Sequence, residues 1–186
     1  YQRPGSKMSE IKPAYLNETA AHGDIIQIIN EEAFGPGRHV RAAERVREQG
    51  PHDPLLSFVA SVDDEIVGSV RLTPVLAGAL VGHLLGPLAV RPVCKNLGIG
   101  RQLVRIAVDA ARSAGSEGVV LVGDQPYYGP MGFERVRARL VFPGPVDPAR
   151  VLIAPGGTVA HERLNGKIAW REEAAHIRSE AVQNTL

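Results

Sequence analysis

The stretch from Val90 to Val104, VRPVCKNLGIGRQLV, decides how the rest of the chain is read. A β-type run ends in Arg91-Pro92. A short loop then carries Gly98 and Gly100, and an apolar-periodic helix begins at once. A helix start leaves several backbone N–H groups unpaired, and its dipole places partial positive charge there. Glycine permits φ > 0 and lets the backbone approach a ligand with no Cβ in the way. Lys95 and Arg101 bracket the loop with further positive charge. On these residues alone the loop is either a cradle for a diphosphate or a tight strand-to-helix turn with no ligand. Two common phosphate loops are set aside. Leu103 stands where a dinucleotide fingerprint needs its third glycine, and no Gly-Lys-Ser/Thr follows.

Outward from this loop the chain falls into alternating elements. Downstream, Leu103, Ile106, Ala107, Ala110 and Ala111 form one stripe at helical spacing, and Gly115 suits the C-terminal end. GVVLVGD, beginning at Gly118, is a short, wholly apolar strand of the kind buried on both faces. QPYYGPMGFERV is a short helix or turn and then another strand. Upstream, a strand over Leu80 to Val90 leads into the loop. Before it, LLSFVASVDDEIVGSVRLTPV reads as a hairpin turning at Asp63-Asp64.

Further upstream, Ile11 to Leu16 is the first strand. A helix follows, capped by Asn17 or Thr19, with Ile25, Ile28 and Ile29 marking its apolar side and Gly35-Pro36-Gly37 ending it. A second helix lies in RHVRAAERVREQG, its arginines facing either solvent or an acidic substrate. The order is β-α-α-β-β-β-α-β-α-β and then a tail. The strand-helix-strand unit from Leu80 to Val122 requires a parallel pair with a right-handed crossover. The fold class is therefore α/β (α+β): a single domain with a mixed sheet and helices on both faces. The boundaries are drawn at 9–137 for this domain and 138–186 for a C-terminal extension, expected on the same domain but with its elements left unplaced. In that extension RVLIA and KIAW are short strand candidates and REEAAHIRSEAVQ a terminal helix. Residues 1–8 are expected to be a foreign remnant or a disordered start, with Met8 a candidate initiator.

Bulk composition narrows the function classes. The 186 residues carry a formal charge of +1, so no global basic field argues for nucleic acid or an anionic membrane surface. No apolar run approaches the roughly 20 residues of a membrane span. Cys94 is the only cysteine, which excludes an intrachain disulfide and fits a cytoplasmic setting. His22, His39 and His52 lack metal-ligand spacing, so no metal is expected.

Two motifs then narrow the fold further. LAVRPVCKNLGIGRQLV resembles the acetyl-CoA loop of the GNAT superfamily of N-acetyltransferases: a strand ending in Val-x-Pro, then Gln or Arg, two residues, Gly, any residue, and Gly or Ala. Val90, Pro92, Gly98 and Gly100 match, and Lys95 stands where Gln or Arg is usual. GDQPYYGPMGFERV resembles the later family segment in which a tyrosine precedes Gly-Phe by four residues; Tyr128, Gly132 and Phe133 match.

The resemblance implies a splayed sheet whose fourth and fifth strands part to admit the pantetheine arm of acetyl-CoA. It places Leu88, Ala89 and Val90 on that arm and Lys95, Asn96, Leu97, Gly98, Ile99, Gly100 and Arg101 at the diphosphate. Asp124 and Tyr127 are further candidates for the co-substrate. Pro87 suits a point where strand pairing stops, because it cannot donate to a ladder. The implied reaction is acetyl transfer from acetyl-CoA to a primary amine by direct attack in a ternary complex, with no metal. Tyr128 is the candidate catalytic residue, donating to the leaving thiolate. His83, Asp124 or water are the candidates for removing the amine proton. A covalent role for Cys94 is disfavoured, since no histidine lies near it in sequence. The acceptor is a small-molecule or peptide amine, and a homodimer is expected only by analogy. The alternatives are a non-catalytic acetyl-CoA-binding sensor or subunit, or an acyltransferase with another acyl chain or acceptor.

Overall fold

The computed structural model describes residues 11–37, 41–157 and 160–172. Strand β1 (Ala14–Asn17) is followed by helix α1 (Gly23–Phe34) and the short α2 (Ala42–Arg47). Strands β2 (Phe58–Val62), β3 (Glu65–Ala77) and β4 (Leu80–Val90) form an antiparallel meander. Its first turn uses Asp63 and Asp64, both at positive φ (49° and 63°), the geometry that a two-residue hairpin needs. Helix α3 (Ile99–Ser113) crosses over to β5 (Gly118–Val122), which pairs with β4 in parallel. The chain closes with α4 (Gln125–Tyr128), β6 (Glu134–Arg135), β7 (Leu140–Val141), β8 (Val151–Pro155), α5 (Ala160–Arg163) and β9 (Gly166–Trp170). The main sheet runs β1-β2-β3-β4-β5-β8-β6.

The tail is woven into the sheet. Strand β8 lies antiparallel between β5 and β6, and β9 pairs with the far end of β3. Its apolar VLIA run explains the position: Leu152 and Ala154 enter one core cluster while Val151 and Ile153 enter the other, so β8 is buried on both faces. The first cluster joins α3, through Ile99, Leu103 and Ala107, to Val70, Leu85 and Leu121. The second covers the opposite face with α2 and tail residues, through Val46, Leu84, Val120 and Phe142.

Three sequence expectations change in detail. Helix α1 turns Ile26, Ile29 and Asn30 inward and leaves Ile28 nearly half exposed, so the buried stripe is rotated from the predicted Ile25, Ile28 and Ile29. The second helix is one and a half turns long and ends at Arg47, short of Gly50. The terminal helix expected over 171–183 falls, beyond Glu172, outside the described residues, as do residues 1–8 and His39.

The feature that positions the site is a fork. Strands β4 and β5 share only two ladder pairs, His83 with Val119 and Leu84 with Val120. Beyond them β4 bulges: Leu72 faces Leu85 and Val70 faces Leu88, so Gly86 and Pro87 stand opposite Arg71 alone. Past the bulge, Leu88, Ala89 and Val90 stay paired to β3 and turn their other edge to the gap.

Candidate active site

The fork opens into a cleft of about 450 Å³. Its floor is Leu85 to Leu88 of β4 and Leu121 to Asp124 at the end of β5; α2 forms one wall, and Tyr127, Tyr128 and the tail residues Val146 and Arg150 form another. Beside the cleft lies the mouth of α3. Gly98 holds the N-cap at φ 75° and Asn96 sits at φ 69°. The Lys95 amide is used by the Pro92 carbonyl, and the next inward bond is Gln102 N–H to the Gly98 carbonyl at 3.1 Å. Asn96 to Gly98 are exposed, as are Lys95 and Arg101. The N–H groups between those two bonds are the ones a helix start cannot satisfy. Amides placed in this way could hold the diphosphate that the glycine pattern suggested.

Tyr127 links the mouth to the cleft. Its hydroxyl lies 2.8 Å from where a Cβ on Gly100 would stand, so any larger residue at 100 collides with it. The Arg101 guanidinium lies 5.6 Å from the centre of the same ring, a cation–π distance. Burial raises the Tyr127 pKa and the nearby Arg101 opposes that rise.

Tyr128 packs edge-on against Tyr127 and Phe133, with centroids 4.8 and 5.7 Å away. Its pKa is pushed up to about 12, first by burial and then by Tyr127 and Asp124; Arg150 and Arg47 act the other way. The phenol is therefore held protonated, as a hydrogen-bond donor must be. Asp124 gives α4 its first backbone acceptor, while its side chain lies 3.4 Å from the Arg150 guanidinium at the cleft rim.

Among the predicted residues, Leu88, Asp124, Tyr127 and Tyr128 line the cleft, and Lys95 to Arg101 form the adjoining mouth. Ala89 and Val90 continue the open edge of β4. His83 does not join them. It is buried at the paired end of β4, and its Nδ1 lies 2.9 Å from the Ser116 hydroxyl. Cys94 is buried below the loop as a packing residue of the α3 core. Among the described residues no group of three or more His, Cys, Asp or Glu is placed to hold a metal, and no described helix is long and apolar enough to cross a membrane.

The opposite wall comes from the second helix, whose arginines the sequence left facing either solvent or an acidic substrate; Glu44 was not singled out. Glu44 and Arg47 of α2 form an ion pair at 2.8 Å that projects into the cleft, and Arg41 lines it too. The signal was present but weak: Ala42, Ala43 and Val46 fix the buried side of α2, and a helix that short exposes few remaining directions. Behind this wall, Glu18 is buried against Arg71 and His52. Burial works to raise the Glu18 pKa, but hydrogen bonds from His52 and Arg71 outweigh it and hold the carboxyl below its ordinary value.

Comparisons with known proteins agree with this geometry. Residues 24–133 match the model of the acetyltransferase (GNAT) family. The uncharacterized N-acetyltransferase YjhQ of Escherichia coli strain K12 is 28% identical over 124 residues, which cover 64% of this chain and 68% of that protein. Among solved structures, the GNAT family N-acetyltransferase YhbS of Escherichia coli, crystallised with CoA, superposes with a TM-score of 0.71 at 23% identity, covering 90% of this chain and 94% of that one. A GNAT family acetyltransferase from Brucella melitensis, in complex with acetyl-CoA, gives 0.63 at 26% identity over 89% and 98% of the two chains. The matched span contains the α3 mouth, the forked strands and Tyr128, and on this evidence the chain belongs to the GNAT acetyltransferase family.

Proposed function

We propose that this protein binds acetyl-CoA along the fork and transfers its acetyl group to a primary amine by direct attack. The observation that carries the reading is the continuity of three features: the amides at the α3 mouth, the unpaired edge of Leu88 to Val90, and the protonated Tyr128 in the same cleft. The co-substrate, which structural neighbours hold as CoA or acetyl-CoA, supplies the acetyl group as a thioester. Amides from Asn96 to Arg101 bind the diphosphate, and the β4 edge pairs with the pantetheine amides. The thioester then lies near the Gly86-Pro87 bulge.

Holding the amine against that carbon removes much of the entropic barrier. As the C–N bond forms and the C–S bond breaks, Tyr128 donates its phenolic proton to the departing sulfur. The amine loses its proton to water or to Asp124, and the phenolate is reprotonated from solvent. His83 is left out of this scheme because Ser116 and the strand pairing hold it away from the cleft.

Calorimetric titration with acetyl-CoA and desulfo-CoA, followed by thiol release with a panel of amines, tests the reading. Binding with amine-dependent thiol release supports it. Binding without turnover with any amine makes the domain a sensor or subunit, and no binding removes the assignment.

A further inference from the structure

A second cavity, of about 540 Å³, lies on the other side of the Glu44–Arg47 pair. It shares Glu44, Arg47, Gly86 and Pro87 with the cleft, so the two meet at the β4 bulge. Its remaining walls come from α1, the Gly50 to His52 turn, and Arg71 and Thr73 of β3. Asn30 of α1 is only 3% exposed and lines this cavity, yet its Oδ1 accepts no hydrogen bond among the described residues. Native interiors rarely leave a buried amide oxygen unpaired, because desolvation is then uncompensated.

Resting on the acetyltransferase reading above, we propose that this cavity holds the acceptor, a small primary amine carrying a hydroxyl or second amino group that hydrogen-bonds to Asn30. Three observations converge on that class. The volume falls in the range of small-molecule sites. The cavity opens to the cleft only past the Glu44–Arg47 pair and the bulge, where the reacting nitrogen must reach the thioester carbon. The half-buried charges of its wall are already matched: Arg71 and His52 pair with the buried Glu18 behind them, and Arg47 pairs with Glu44. The Asn30 oxygen calls for a donor, and the exposed Asp24 carboxylate favours, by its sign, an approaching ammonium.

The test uses the whole protein with acetyl-CoA and three amines matched in size, aminopropanol, diaminopropane and butylamine, with their longer homologues and a short peptide. The hydroxyl and second-amino compounds are expected to exceed butylamine in kcat/KM by about ten- to a hundredfold, because a site built to pair a polar group rejects the analogue that lacks it. In Asn30→Leu that preference collapses to within about threefold while acetyl-CoA affinity by calorimetry is unchanged; the melting temperature rises as the orphan oxygen is removed. Asn30→Asp keeps an acceptor and shifts the preference toward diaminopropane. Equal rates for all three amines, a preference untouched in Asn30→Leu, or a better rate with the peptide overturns the proposal. If no amine releases thiol, the acetyltransferase reading fails separately, and thermal shift by aminopropanol alone decides the cavity. A shift lost in Asn30→Leu keeps the cavity assignment, and no shift ends it.

Discussion

The two halves of the cleft are built from different material. On the α3 side the surface offered to a co-substrate is backbone: amides at a helix mouth and one open strand edge, with Gly98 and Gly100 keeping side chains out. On the α2 side the adjoining cavity is walled by side chains brought from separate segments: Asn30, Arg47 and Arg71 lie on three different elements, with Glu18 from a fourth segment bonded to Arg71, and they meet only after folding. A backbone site can be written in a dozen consecutive residues, whereas a side-chain site has to be assembled. That contrast predicts where substitutions separate co-substrate binding from acceptor choice.

Gly100→Val should give the largest effect. Valine is no worse than glycine inside a helix, so the fold survives, but its Cβ meets the Tyr127 hydroxyl at 2.8 Å and its methyls cover the amides. Acetyl-CoA affinity should fall by about a hundredfold or more, since several charge-assisted hydrogen bonds are lost together. Titration calorimetry measures it. An affinity within about threefold of wild type would mean the diphosphate lies elsewhere.

Tyr128→Phe should next lower kcat by about a hundredfold, the lower range of general acid help, with acetyl-CoA affinity kept. The sign of its pH dependence follows from the raised pKa. A phenol with a pKa near 12 stays protonated across the working range, so Tyr128 adds no descending limb to the rate until pH approaches that value. A tyrosine-dependent fall well below it would contradict the burial seen here.

How much of this was legible depended on the same contrast. The limits of β4, the Asp63-Asp64 turn and the α3 mouth are local: residue type and spacing specify each one. So is Tyr128, four residues before Gly132. The α1 face was misjudged because the four isoleucines at 25, 26, 28 and 29 satisfy more than one helical stripe, and only packing on β3 and β4 selects Ile26 and Ile29. Strand β8 was read as a strand but left unplaced, because its partner β5 lies about thirty residues away and a short apolar run does not name its neighbours. Glu44, Arg47 and Asn30 carried no motif at all. The asparagine stood at helical spacing from Ile26, a polar residue on an apolar stripe, and that was its only signal.

Acid should loosen the side-chain half before the backbone half. Glu18 has a folded pKa below the ordinary carboxylate value, so its stabilisation is present above that value and is lost as pH falls through the lower, folded one. Glu18→Gln should cost about 2 kcal/mol at neutral pH, as expected for buried hydrogen bonds to a charged group, and the difference from wild type should vanish in acid. Hydrogen exchange should quicken first around Ser57, whose carbonyl takes the Glu18 amide, and last in α3.

The smallest effect tests the hinge between the halves. A Cβ on Gly86 would lie 2.6 Å from the Arg47 guanidinium, and Gly86 sits at φ 125°, a conformation that side chains resist. The contact is with the end of a flexible side chain, so in Gly86→Ala the arginine yields and the Glu44–Arg47 pair shifts. The expected result is a rise of about tenfold in the KM for the amine, the scale of one displaced polar contact, with acetyl-CoA affinity near wild type. If both affinities fall together, the bulge serves the co-substrate as much as the acceptor, and the division between a backbone half and a side-chain half breaks at this residue.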